Sequence, residues 1–338
     1  MKSKIIFTLL ISAAFITFNS CRNNPVSPSQ PQPGRRDYTW TRDTLRADEF
    51  GFEFLGGIWG SSPSDVWVIG DAATYVNKVW HYDGSTWKNY LLDQFATPVQ
   101  IYGISSSEIW MVTSISDVWR YDGMKWFKDT TIVPDGYQRI LFEDIYGYRN
   151  DIYAVGIAEK SDEDYTGIIV HYDGNKWEIL NTPKIKEYFE RILFLKGGDI
   201  LISGQNLFDP NNSCRLYKLS DSTLTLLTKS TMDIYLGVLN NNMYVDTQSK
   251  VYEYNNGALN ETLNLTNSDY AGGLFGRSIK DFFSANSGWN LGHYNGTDMV
   301  DIYHTEGYII DGQIFEKDVF FICNTLDNVD YILHGKLK

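Results

Sequence analysis

The chain has 338 residues, with 42 acidic against 29 basic side chains and a formal net charge of −13. Binding a polyanion needs a basic face and counterion release, so nucleic acid is excluded as a partner class. Hydrophobic residues at 43% supply a sizeable core and exclude global disorder, while 28 Gly among 23 Tyr, 18 Phe and 10 Trp point to many short strands joined by tight turns.

Lys2 and Lys4 open the chain, and a mostly apolar run from Ile5 to Phe18 follows, interrupted by Thr8, Ser12 and Thr17. It is too short for a comfortable span of roughly 20 residues and reads as a secretory signal peptide over 1–20. The stretch Phe18-Asn19-Ser20-Cys21 resembles the lipobox of bacterial lipoproteins, in which the peptide is cut before an acylated Cys. That resemblance makes Cys21 the lipidation site and the membrane a partner through its lipid. Residues 21–36 then form the lipidated Cys and a Pro-rich tether, polar and without apolar periodicity. Arg22 follows the Cys in place of the Asp associated with inner-membrane retention, and the same resemblance implies a location in the bacterial cell envelope, anchored to the outer membrane. An ordinary secretion signal with an incidental Cys is the alternative. The other two cysteines, Cys214 and Cys323, fall in distant repeats and are expected to be buried free thiols.

Residues 37–338 read as one unit repeated seven times. Three copies align directly. Ile58-Trp59-Gly60, Asp65-Val66-Trp67-Val68 and His81-Tyr82-Asp83-Gly84-Ser85-Thr86-Trp87 make the first. Ile101-Tyr102-Gly103, Glu108-Ile109-Trp110 and Tyr121-Asp122-Gly123-Met124-Lys125-Trp126 make the second, and Ile145-Tyr146-Gly147, Asp151-Ile152-Tyr153 and His171-Tyr172-Asp173-Gly174-Asn175-Lys176-Trp177 the third. Weaker copies place the same anchor at Asp199, Asn242, Asp281 and Asp318. The steps of about 40 residues belong to propeller blades.

Each unit predicts four strands. The Ile-aromatic-Gly triplet opens strand a, the anchor residue begins strand b, strand c runs up to Tyr-Asp-Gly, and the Trp begins strand d. Asp83-Gly84 is expected to supply the positive φ angles of a tight hairpin. The last unit lacks strand d, and Tyr38-Thr39-Trp40-Thr41 matches the missing piece. The fold class is therefore all-β: a seven-bladed β-propeller of four-stranded antiparallel blades, closed by the N-terminal strand pairing with the last blade, with six blades as the alternative. Closure removes the exposed edge that an open array would leave. The repeats resemble the WGSSxxDVWxVG…HYDGxxW propeller repeats of secreted and lipid-anchored bacterial proteins. That resemblance implies architecture and no defined activity.

Few residues point to chemistry. His81, His171, His293 and His334 recur at equivalent places and so serve the blade, which leaves no metal centre, and Asp83, Asp122 and Asp173 are turn residues. No catalytic residues are assigned: the cysteines lack a partner motif, and Ser61 and Ser62 lack a GxSxG setting. Trp59, Tyr102, Tyr146, Phe194, Tyr235 and Phe275 are expected to form a ring of inner-strand aromatics that packs the core. Variable connections carry more information, because function is grafted onto loops of a rigid scaffold. The b–c connections 71–78, 157–167 and 205–213 share a face with the d–a links. They place Asp71, Tyr75, Glu159, Asp162, Asp164, Tyr165, Asp209 and Asn211 there as candidate ligand-binding residues. The Asp162-Glu163-Asp164 run offers oxygen ligands to Ca²⁺ but lacks a ligand-loop pattern, so no cofactor is expected.

The expected function is a non-enzymatic binding or scaffolding lipoprotein that holds a glycan or envelope protein. The alternatives are a carbohydrate-active propeller enzyme, whose two carboxylates would converge near the central opening, and a structural subunit of an outer-membrane assembly complex.

Overall fold

The computed structural model describes residues 34–45, 53–72, 78–161, 164–195, 198–209, 211, 213–327 and 329–338. Cys21, Tyr75 and Asp162 lie outside the described residues. Seven four-stranded antiparallel sheets follow one another, each in the order a-b-c-d. Blade 1 is typical, with strand a at Glu53–Ser62, b at Asp65–Ala72, c at Val79–Tyr82 and d at Trp87–Asn89. Strand a of each blade meets strand a of the next, from blade 1 round to blade 7 and back. The seven-bladed propeller is thus the observed fold.

In blade 7 the first strand among the described residues, Tyr38–Thr44, supplies strand d and pairs with Asp330–Leu337 along its whole length, Trp40 opposite Gly335. Arg42 extends the latch to blade 6. It donates to the Tyr303 hydroxyl at 2.5 Å and to Glu306 at 3.0 Å. Upstream of the strand, the Gly34 amide donates to the Lys280 carbonyl at 3.0 Å, and Arg36 donates to the His293 carbonyl and to Asp298. These partners sit in the a–b turn, near the end of strand c and in the c–d turn of blade 6. The chain therefore joins the propeller on the turn face, opposite the face formed by the b–c and d–a connections.

Seven hydrophobic clusters fill the seven clefts between adjacent blades. Between blades 1 and 2 the wholly buried Trp67 stands 4.8 Å from Tyr121 and 5.7 Å edge-on to Trp126, ring to ring. Edge-to-face pairs of this kind add to the area each ring buries. Cys214 and Cys323 are free and buried, and burial pushes their thiols up to about 11 and about 12.

The anchor residues explain the recurrent histidines. Asp65 accepts from His81 at 2.7 Å, and the imidazole stacks 4.1 Å from Trp67 directly across the pair of strands. Asp151–His171, Asp281–His293 and Asp318–His334 repeat this bracket at 2.6, 2.9 and 2.8 Å. In blades 2 and 4 the same places hold Glu108–Arg120 and Asp199–Lys218. One acid at the start of strand b thus fixes one basic side chain on strand c in six blades.

Three local expectations need correction. The hairpin between strands c and d places its positive φ on the glycine, at 90° in Gly84 and Gly123, while Asp83 instead accepts the amides of Ser85 and Thr86 at 3.0 Å. A side-chain acceptor caps the four-residue loop, which a two-residue turn would not need. The triplet Ile58-Trp59-Gly60 lies in the second half of strand a, which begins at Glu53. In blade 3, 157–167 is largely not a connection: strand b continues to Ser161 and c begins at Asp164, with Glu159 paired to Tyr165. A run of apolar residues on both strands carries the ladder further outward than the turn-forming residues suggest.

Candidate functional site

Strand a carries a β-bulge in most blades, and the bulge decides what faces the axis. Register shifts fall before Gly57, Gln100, Asp144, Arg191 and Asp311, the first four standing directly ahead of an apolar-aromatic or apolar segment of their strands. A bulge re-aims the side chain that follows it. Here it turns Gln100, Asp144, Arg191 and Asp311 into a central cavity of about 460 Å³ lined almost wholly by strands a. Trp59, Tyr102, Tyr146, Tyr235 and Phe275 complete its wall.

The aromatic wall is held by glycine. A Cβ at Gly103 would overlap the Trp59 indole, one at Gly272 would overlap Tyr235, and one at Gly147 would crowd Tyr102. Each ring lies on the backbone of the following blade, which is why the aromatic and the glycine recur together. Core packing, expected for these rings, is only half of their role. Five of them also face the cavity, whereas Phe194 is buried away from it.

The polar groups are fixed by backbone. Asp144 accepts from its own neighbour's amide, Ile145, at 2.9 Å and from Ile192 of the next blade at 2.8 Å. Asp311 accepts from Gly312 at 2.7 Å, from Ile58 at 3.3 Å and from the Gln100 amide at 3.4 Å. Burial pushes the Asp144 carboxyl up to about 7, against the opposing pull of Arg191 and of these two amides. Burial raises Asp311 as well. Arg191, half-buried, makes no hydrogen bond or close ion pair among the described residues, although the charges of Asp144, Asp311 and Glu190 all act on it. Toward the start of strands a, burial also raises Glu143 and Glu190. The first accepts from the Tyr188 hydroxyl and the second from Gln205 at 2.5 Å.

The loop face around this cavity is the apolar side of the molecule. Leu91, Phe95, Val133, Leu207, Phe208 and Met232, all in d–a links or b–c connections, are between 45% and 69% exposed. Trp289 and Leu326 add to them from blades 6 and 7. Among the described residues the turn face shows only Met124 as an exposed large apolar side chain. Single exposed apolar groups are ordinary, and Ile179, Leu226 and Val300 show on outer strands, but the concentration of the others on one face is not ordinary.

The candidate residues expected from the loops are dispersed. Asp71 is exposed and pairs with the buried Lys78 at 2.6 Å. Glu159 is buried and held by Arg139 at 2.6 Å, and Asp164 is exposed beside Lys160. Tyr165 is buried, its hydroxyl accepting from the Leu207 amide at 3.3 Å, and its ring lies 6.0 Å from Phe208. Asp209 is tied to Arg215 at 2.5 Å and to Ser213, with Asn211 exposed next to it. The structure therefore brings Tyr165, Asp209 and Asn211 together around the blade 4 loop and leaves Asp71 two blades or more away. The axial polar ring escaped the sequence. Its signal was a polar residue immediately before an Ile of strand a, at Gln100, Asp144 and Arg191, beside positions where Ile-aromatic-Gly drew the eye.

Among the described residues no cluster of three or more His, Cys, Asp or Glu could hold a metal ion. No helix among them is long and apolar enough to cross a membrane. No family model and no curated protein matches the chain. Solved structures match over nearly its whole length. YCF48 bound to D1 peptide has a TM-score of 0.63 at 13% identity, covering 91% of this chain and 100% of that one. YCF48 from Cyanidioschyzon merolae has 0.59 at 13%, covering 88% and 98%, and the computationally designed Ika8 protein 0.53 at 11%, covering 86% and 99%. At these identities the likeness is one of fold, and a designed propeller among the matches underlines that the fold alone carries no activity.

Proposed function

We propose that this propeller is a binding module of the bacterial envelope that docks a protein partner on its loop face. The observation that carries this reading is the asymmetry of exposed apolar side chains: Leu91, Phe95, Val133, Leu207, Phe208 and Met232 crowd one face, and the opposite face is nearly free of them. Apolar and aromatic side chains on a rigid scaffold are what protein interfaces use as anchors. Support also comes from the propeller of similar fold that is described as bound to a peptide.

Lipidation of Cys21 would hold the module at the outer membrane. The chain reaches the propeller through Gly34 and Arg36 on the turn face, so an anchor on that side leaves the loop face directed outward. Cys21 to Gly34 spans about 40 Å when extended, enough to lift the domain clear of a lipid surface.

The test uses the soluble domain from Arg35 onward as bait in envelope extracts, beside a Phe95→Ser/Leu207→Ser/Phe208→Ser variant and a Met124→Ser variant. One identified protein should be retained by wild type and Met124→Ser and lost with the triple variant. Equal capture by all three overturns the docking face. For the anchor, metabolic labelling with a fatty acid should mark the full chain and fail on Cys21→Ala.

A further inference from the structure

We propose that the axial cavity is a binding site for a neutral sugar, a mono- or disaccharide held between the aromatic wall and the polar ring of Gln100, Asp144, Arg191 and Asp311. This site is separate from the apolar loop face, and the inference does not depend on the docking described above.

Size comes first. A cavity of about 460 Å³ on the propeller axis falls within the range of small-molecule sites. Part of its wall is aromatic, with Trp59 and Tyr102 wedged onto Gly103 and Gly147 of the adjacent blades so that the rings are set before any ligand arrives. Flat aromatic faces suit the C–H faces of a pyranose.

The polar ring then selects among ligand classes. Arg191 carries five N–H donors in a planar fork, and among the described residues none has an acceptor. Donors left without partners in a half-enclosed site are costly, so water or a ligand oxygen must satisfy them. Asp144 and Asp311 have the opposite character. Each is clamped by backbone amides of two blades, Ile145 with Ile192 and Gly312 with Ile58, yet a carboxylate offers about four lone-pair sites and keeps some of them open. Unpaired donors and fixed acceptors therefore converge on one space. A hydroxyl both accepts and donates, and vicinal hydroxyls can do so in pairs.

Charge argues against ionic ligands. A cation in the cavity would meet Arg191. An anion would meet Asp144 and Asp311, with Glu143 and Glu190 behind them. Both signs of charge thus line the same space, and a neutral guest suffers least.

Calorimetry and Trp fluorescence on the domain from Arg35 onward, titrated with glucose, galactose, mannose, N-acetylglucosamine, maltose and cellobiose, test this directly, with spermidine and citrate as ionic comparators. At least one sugar should bind saturably at millimolar concentration or below, and neither ionic compound should compete. Arg191→Met should weaken that sugar about tenfold or more, as loss of hydrogen bonds from a charged group does. Asp311→Asn, a near-isosteric change, should weaken it too and serves if Arg191→Met does not fold. The loop-face triple variant should bind the sugar normally. Silence from all six sugars, preference for spermidine or citrate, or sugar affinity untouched by Arg191→Met and Asp311→Asn would each overturn the assignment.

Discussion

Trp40 lies flat against Gly335, its direct partner across the seam that closes the ring, and a Cβ at Gly335 would overlap the indole. The pair joins the first strand of the chain to the last. Gly335→Ala should therefore destabilise the domain by about 1–3 kcal/mol through overpacking, read from denaturant midpoints. Removing residues up to Thr44 leaves the strand Asp330–Leu337 as an open edge, and light scattering should show aggregation that the full domain lacks.

Trp67 joins blades 1 and 2 through Tyr121 and Trp126 and is wholly buried. Trp67→Ala should cost about 3–5 kcal/mol, the range for deleting a large buried aromatic. It also removes the ring on which His81 stacks. Phe208→Ser, at an exposed ring on the loop face, should stay within about 0.5 kcal/mol of wild type in the same denaturation series. A large loss for Phe208→Ser would mean that the exposed ring serves the fold.

Asp83, Asp122 and Asp173 cap their c–d loops by accepting two amides each, and Asn295 makes the same two bonds in blade 6. Asp122→Asn should leave the melting temperature unchanged, whereas Asp122→Ala should lower it. If the asparagine variant melts as early as the alanine one, the negative charge matters and the amide acceptor does not suffice.

Acid stability should carry the mark of two buried carboxyls, Asp144 at the axis and Asp246 on the second strand of blade 5, which accepts the Gly273 amide at 3.0 Å. Burial raises Asp144 to about 7 and Asp246 to about 6, so the folded chain holds these protons more tightly than the unfolded one. Their contribution is whole below about pH 4 and is lost as pH rises through 6 to 7, by on the order of 1–3 kcal/mol. Burial pulls Asp65 and Asp281 upward, but His81, Ser61 and Trp67 around the first and His293 with Arg277 around the second together outweigh it and leave both lowered. Their contribution stands at neutral pH and disappears in acid. Denaturant midpoints between pH 4.5 and 7.5, a window set by these shifts, should fall more steeply for wild type than for Asp144→Asn. Parallel profiles would show that Asp144 does not titrate in this window.

The blade architecture was legible because its signals are local and repeat. The anchor at Asp65, the aromatic two residues on and the Asp-Gly before Trp87 each have a fixed place in one sheet, and their recurrence in successive blades separates them from chance. The closing strand was legible for the same reason, through Trp40. The bulges were not. Whether Asp144 faces a neighbour or the axis depends on one extra residue, Glu143, in strand a, and that insertion becomes visible only when Phe142 and Asp144 are seen opposite Gly156 and Val155. The loops misled for a related reason. Glu159 and Asp209 look like free carboxylates in the sequence, but Arg139 and Arg215, distant or on the next strand, neutralise them.

The latch has a mechanical corollary. If the lipid holds the polypeptide from its amino end while a bound partner tugs at the opposite rim, tension enters the domain through Gly34 and runs lengthwise along Tyr38–Thr44. The seven facing residue pairs of that seam would then slide as a group and share the load, because the pull lies parallel to the ladder and does not peel it open rung by rung. A toroid sewn shut by its own leash in this orientation grips hardest in the direction in which it is hauled.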